Sequence, residues 1–381
     1  MRDDEMGTRL SAPALRSRDN AFTFLRLWLA LQVVFSHTFL LGGYGPDPLQ
    51  ALKGSGFYDL GGMAVFGFFS ISGFLVTRSF FETSSAARYF WKRALRIFPA
   101  FWCSLLVLAL VIGPLLYLDE RGSLAGYFSL TGHEGPAMYL VRNGLLWFGQ
   151  AGISGLLSSV PHPLIFNDAI WTLFPEFLCY AGVFILGHGL RSGGSKAIFP
   201  VAFLVFWIPL FADPVPGRLL FSYTLYRLPA SLVPAYFLAG ASAYCYRDRI
   251  PLRTDLFLLA LAAVAVCALS APWRALGPLG LTYALLWLAA KLPLRLDRYG
   301  DCSYGVYLYS CPIQQVLAYG HFNRYPWLVF FALSALLSLL IGMLSWHLIE
   351  KRALNLKVLP GFRGPLSALW ASPTGEQRSA R

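Results

Sequence analysis

Two ionisable residues stand inside the first long apolar run of the chain, FTFLRLWLALQVVFSHTFLL, which extends from Phe22 to about Leu41. They are Arg26 and His37, eleven positions apart. On a helix eleven residues turn through roughly 1100°, about 20° past three full turns, so both side chains share one face about 16 Å apart. An imidazole so placed can take or give a proton near neutral pH, and a guanidinium can hold an anion. Ionisable groups inside a span are costly and tend to face a protein interior or a wet cavity. The pair therefore reads as a polar track along one helix face. An Arg at the start of a span also serves as a snorkelling anchor, and that reading stays open for Arg26.

Three further stretches carry chemistry. In ARYFWKRALRIFPAF, Arg93 and Arg96 are three apart on one helix face, with Arg88 and Lys92 beside them. Paired guanidiniums suit phosphate oxygens, and anionic lipid contact is the alternative. In NDAIWTLFPEFLCY, Glu176 follows Pro175 inside an apolar run. Counted from the outer end of its span it has the depth of His37, so it is expected to orient that imidazole. A Glu neutralised by burial is the alternative. In GDCSYGVYLYSCP, Ser303, Tyr304, Tyr307 and Ser310 offer hydroxyls. His347 and Glu350 near the chain's last apolar run, SWHLIEKR, read as a membrane-interface cluster with Lys351 and Arg352.

The elements that must position these groups are transmembrane helices. Of 381 residues 56% are hydrophobic and only 13% charged, about half the charge of an ordinary soluble domain. The expected fold is an all-α polytopic bundle of about ten spans: 22–43, 60–81, 98–118, 170–188, 198–213, 227–246, 255–271, 275–291, 302–320 and 326–349. With both termini cytoplasmic, every Lys and Arg falls on the cytoplasmic side except Lys53, Arg121, Arg142, Arg218, Arg227, Arg274 and Arg324. That asymmetry satisfies the positive-inside rule. The net charge of +12 is thereby explained by topology, and no nucleic-acid partner is expected; membrane lipids are. Residues 1–20 are expected to be a disordered cytoplasmic segment and 353–381 a short cytoplasmic tail. The first apolar run reads as an uncleaved span, not a signal peptide. The external segment 119–170 contains apolar stretches at 138–149 and 152–157 that read as interfacial or re-entrant helices, and with His133, Glu134, His162 and Asp168 it is expected to set acceptor specificity. The six cysteines form no CxxC pair, so no disulfide framework and no metal site is expected.

In order along residues 21–352 the chain resembles the acyltransferase-3 family of polytopic membrane O-acyltransferases. The matching stretches are FLRLWLALQVVFSH, GGMAVFGFFSISGFL, KRALRIFPAF, WTLFPEFLCY, GDCSYGVYLYSCP and IEKR. Thr172 stands for a Ser and Cys179 for a Phe of the family's pattern, and Ser310 stands where the family usually has His. The resemblance implies transfer of an acyl group, usually acetyl, from cytoplasmic acyl-CoA to a hydroxyl of a carbohydrate or lipid-linked glycan. It implies a bacterial inner-membrane location. It makes His37 the catalytic candidate with Arg26 its companion, Arg93 and Arg96 the donor-side residues, and Glu176 a further site residue. His37 would act as general base or as a covalent acyl carrier. No hydrolase-like domain of the kind fused to some members is expected. On physics alone, a proton-coupled sugar or glycolipid transporter would also use a buried Arg, His and Glu. No inverted repeat or pair of broken helices favours it.

Overall fold

The structure, a computed structural model, describes residues 9–10, 15, 20–52, 59–129, 134–212 and 232–358. His133, most of the segment 1–20 and the tail beyond 358 lie outside them. The described chain is helical, and its only extended pairing is a single bridge between Arg9 and Pro251.

Helix α1 (Phe22–Gly42) starts where the Asn20 side chain accepts the Phe22 N–H. It ends at Gly43, whose φ of 75° is the left-handed closing conformation that favours glycine. Asp47 pins the following connection by accepting from Ser36 Oγ and from the Leu49, Gln50 and Leu60 amides. Helix α2 (Leu60–Phe81) is capped by the Asp59 carboxylate on Gly62 N–H. Helix α3 (Ala86–Val107), capped by Ser85, carries Pro99 and continues through a π-helical turn (Leu108–Ile112) into α4 (Gly113–Arg121). The 36-residue rod is about 54 Å long, so it extends beyond a ~30 Å hydrocarbon core. Next come α5 (Pro136–Asn143), α6 (Leu173–Arg191, entered by a 3-10 turn, Ala169–Thr172), α7 (Ile198–Trp207) and α8 (Pro209–Ala212). The chain then forms α9 (Leu232–Cys245), α10 (Thr254–Leu269), α11 (Gly277–Lys291) and α12 (Ser303–Tyr319). Finally α13 (Trp327–Ser345) runs through a second π-helical turn (Trp346–Glu350) into α14 (Lys351–Asn355).

Ten spans are expected, and the described helices at those places differ in length. Among the described residues five helical stretches are long and apolar enough to cross a membrane: Phe22–Gly42, Leu60–Phe81, Ala86–Arg121, Ala169–Arg191 and Trp327–Asn355. The other expected spans are helical over their described parts, but shorter. Pro209 breaks the fifth, and Gly277-Pro278 starts α11 late, leaving it 15 residues, about 22 Å. The apolar stretch 152–157 is not helical either. Ser154, Gly155 and Leu157 all have positive φ, and Ile153, Leu156 and Leu157 are buried in the protein. Asn143 holds the turn before it by hydrogen bonds with the Gly149 and Gln150 backbone, and Gln150 Nε2 donates to the Gly152 carbonyl. Within the first twenty residues, Leu10 and Leu15 are buried, and Arg78 donates to the Leu15 carbonyl.

Helix α2 is the centre of the bundle, with the other long helices more exposed. It meets α9 at near backbone contact. A Cβ on Gly73 would lie 1.9 Å from the Phe237 carbonyl oxygen, and one on Gly240 2.0 Å from the Ser70 carbonyl oxygen. Phe66 stacks on Tyr236 beside this crossing at 4.4 Å. Small residues at such crossings are what permits the approach. Gly240→Leu is therefore expected to force α2 and α9 apart and destabilise by more than about 3 kcal/mol, read as loss of monodisperse protein in detergent. Outward faces such as Leu258 and Leu259 on α10 and Leu336, Leu340 and Leu344 on α13 are exposed leucine surfaces, as lipid-bathed helices require.

Candidate active site

Helices α1 and α12 lie side by side and parallel, and this fixes the site. Eleven residues separate Arg26 from His37, and ten separate Asp301 from Cys311. Equal rise along both helices brings Arg26 to Asp301 at one end and His37 to Cys311 at the other. Gln314 keeps the register by donating to the Val34 carbonyl and to Thr38 Oγ1.

The first end is a charged network. Asp301 Oδ2 accepts from Arg26 and, at 2.8 Å, from Arg96. Its other oxygen accepts from the Ser303 amide and hydroxyl. Burial pushes the Asp301 carboxyl up, but Arg26 and Arg96 override it and hold the group down at about 2. Arg96 also donates to Glu350 at 3.2 Å and lies over the rings of Tyr304 and Trp346. Glu350 is buried and accepts from Ser345. The expected interface cluster is thus split: His347, Lys351 and Arg352 are exposed while Glu350 faces inward. The π-helical turn over Trp346–Glu350 adds a residue to the helix and rotates Glu350 towards Arg96.

Above this network lies a cavity of about 340 Å³ whose lining includes Arg26, Arg93, Arg96, Glu176, Tyr180 and Asp301. Arg93 differs from its two companions. It touches Ser79 Oγ and the face of Tyr180, and its Nε has no hydrogen-bond partner among the described residues. The cavity's lining also includes Thr172 and Tyr307. Their hydroxyls are 2.8 Å apart, and both donate to the Ala169 carbonyl, one residue from Asp168.

At the second end His37 meets Asp168 and Cys311. A ring nitrogen, a carboxylate oxygen and the sulfur all lie within 4.8 Å of one another. Cys311 Sγ donates to Asp168 Oδ1 at 3.2 Å, and His162 Nε2 is 3.4 Å from Asp168 Oδ2. Burial raises the Asp168 carboxyl, and His162, His37 and the Cys311 thiol outweigh it, so the group is held below the ordinary carboxylate value.

The structure therefore gathers Arg26, Arg93, Arg96 and Glu176 round one cavity and sets His37 beside a different carboxylate. Glu176 accepts from Tyr180 OH and Ser72 Oγ. Depth counted from the expected start of the fourth span placed Glu176 level with His37. In the structure the chain is already buried at Asp168, so the His37 level is reached eight residues earlier. Asp301 was not singled out from sequence, and Asp168 was read only among the acceptor-specificity groups of the external segment, because both precede their helices. The available signal was their position immediately before spans that carry hydroxyls or aromatics. Ser310 is buried and donates to the Tyr307 carbonyl.

Comparison with known proteins matches residues 19–347 to a family described as an acyltransferase domain. The chain is similar to an O-acetyl transferase of Shigella phage Sf6, 32% identical over 349 residues, covering 89% of this chain and 97% of that protein. It is also similar to nodulation protein 10 of Rhizobium leguminosarum bv. viciae, 29% identical over 384 positions, covering 89% of this chain and 94% of that one. No solved structure matches. A cavity with three arginines, an imidazole–carboxylate pair beyond it and a family match over most of the length agree: this chain belongs to the acyltransferase family and is a membrane-embedded acyltransferase.

Proposed function

We propose that this protein moves an acetyl group from acetyl-CoA, bound at the Arg26–Arg93–Arg96 end, to a hydroxyl of a carbohydrate or lipid-linked glycan at the His37 end. The observation that carries this is the cavity itself, which begins among three arginines and includes Thr172 and Tyr307, beside Asp168 and the His37 pair. In this reading the basic end is cytoplasmic and the chain crosses a bacterial inner membrane ten times with both termini inside. Residues 21–352 form one catalytic membrane domain. Acetyl as the group is favoured by the similarity to the phage O-acetyl transferase, and the resemblance to O-acyltransferases favours the carbohydrate.

His37 takes the proton of the acceptor hydroxyl as that oxygen attacks the thioester carbonyl. The carbon–sulfur bond then breaks, and the imidazolium returns its proton to the departing thiolate. Asp168 steadies the imidazolium, as a carboxylate beside an imidazole does. Arg26 and Arg96 are occupied by Asp301 and Glu350, so their main work is to shape the cavity and set its positive field. Arg93 retains donor capacity for the phosphates of the CoA. Glu176, hydrogen-bonded to Tyr180 and Ser72, lines the passage between the two ends.

Labelled acetyl-CoA supplied to membranes containing the protein should label glycan. Absence of label together with acetyl-CoA-independent glycan movement would replace this reading with transport. Arg93→Ala should raise the donor KM by about 10–100-fold, the equivalent of one or two charge-assisted hydrogen bonds, with a smaller effect on kcat. A change in kcat alone would remove Arg93 from donor binding.

A further inference from the structure

The His37 end holds one group that the transfer chemistry does not use, the thiol of Cys311. We propose that His37, Asp168 and Cys311 form a binding site for a thiophilic divalent cation, zinc in the simplest case, and that its occupation switches transfer off.

The argument begins with the donor atoms. Imidazole nitrogen, carboxylate oxygen and sulfur lie within 4.8 Å of one another. Two ligands of a tetrahedral zinc are about 3.3–3.8 Å apart, given Zn–S of about 2.3 Å and Zn–N of about 2.0 Å. The sulfur and Asp168 Oδ1 are already at 3.2 Å, so a contraction of about 1 Å elsewhere completes the triangle. A set of one sulfur, one nitrogen and one oxygen selects zinc and similar ions over magnesium and calcium, which require oxygen cages. The three residues come from α1, the entry to α6 and α12, held in register by Gln314 and, through the Asn167 side chain on the Leu308 carbonyl, by α12 itself. His37 Nδ1 is buried and has no hydrogen-bond partner among the described residues. His162, 3.4 Å from the far oxygen of Asp168, stands where a supporting group orients a ligating carboxylate. Three protein ligands leave a fourth position open to water.

Binding releases the thiol proton of Cys311 to solvent and forms the sulfur–metal bond; no oxidation is involved. The same event engages the His37 lone pair or confines the ring. Inhibition thus rests on the reading of His37 as the base, whereas binding does not.

The test uses the full chain in detergent, titrated with cobalt(II) as a spectroscopic probe. A saturable one-to-one thiolate-to-cobalt charge-transfer band is expected, competed away by zinc and lost in Cys311→Ser but retained in Cys267→Ser. Zinc should inhibit acetyl transfer by the wild type, reversibly with chelator. Cys311→Ser, measured against its own metal-free activity, should need at least about 100-fold more zinc for the same fractional inhibition. If Cys311→Ser does not fold, Asp168→Asn must shift the cobalt spectrum of an otherwise folded protein. No saturable band, a band unchanged in Cys311→Ser, or equal zinc sensitivity of the two proteins overturns the proposal. A wild type that binds cobalt but transfers nothing would refute the proposed function while leaving the site intact.

Discussion

Replacing His37 by alanine is expected to lower acetyl transfer by about 10²–10⁴-fold, the usual contribution of a positioned general base. The loss should fall on kcat, with the donor KM little changed, because Arg26, which marks the donor end, is about 16 Å away along α1. His37 is only partly buried, and α1 packs chiefly through Leu25, Leu29, Val33 and Val34. The variant should therefore fold. Single-turnover transfer from labelled acetyl-CoA, at matched protein levels, reads the effect. Asp168→Asn keeps the shape but removes the charge beside the imidazole, and should cost less than His37→Ala. If the histidine can be removed with less than a tenfold loss, the base lies elsewhere.

Asp301→Ala is expected to have the largest effect on stability, about 3 kcal/mol or more. It removes the carboxylate shared by Arg26 and Arg96 and leaves the Arg26 guanidinium without its partner beside that of Arg96. Glu350 still serves Arg96, and partial exposure of Arg26 limits the penalty. The measurement is the thermal midpoint of the solubilised protein. Its pH dependence carries a sign. The Asp301 pKa is depressed to about 2, so its stabilisation is fully present above the free-carboxylate value of about 4. It is lost as the pH falls through the folded value. The gap between wild type and Asp301→Asn should be constant near neutrality and narrow only in strong acid. A gap that opens or closes around neutrality would place the stabilising charge on another group.

Much of this architecture could be read from residue order. The shared face of Arg26 and His37 follows from helical period alone, and Arg93 and Arg96 line one cavity as their spacing implies. Apolar runs marked where the helices lie, because burial in lipid demands them. What periodicity does not encode is relative depth and the partner across a helix gap. Glu176 was matched to His37 by counting from an assumed boundary, and the carboxylate beside His37 is Asp168. Asp301 serves two arginines more than two hundred positions apart from it, a pairing that only the packing of α1, α3 and α12 creates. The inward turn of Glu350 depends on a π-helical register shift, which is a backbone event with no local composition signal. Helix length is also poorly encoded, because Pro209 and Gly277-Pro278 shorten helices that sit within longer apolar runs.

The parallel register of α1 and α12 also acts as a spacer. Both ends of the site are rigidly built into the same two helices, so the protein has no evident means of carrying an acyl group from the arginines to His37 by its own movement. On the proposed function the distance is covered by the donor, with its phosphates at the arginine end and its flexible arm along the cavity. A thioester on a truncated arm would be anchored and yet fall short of the imidazole, and a single residue inserted between Arg26 and His37 would swing one of them about 100° off the shared face. Donor choice would then be decided by reach, with the helix pair as the measure.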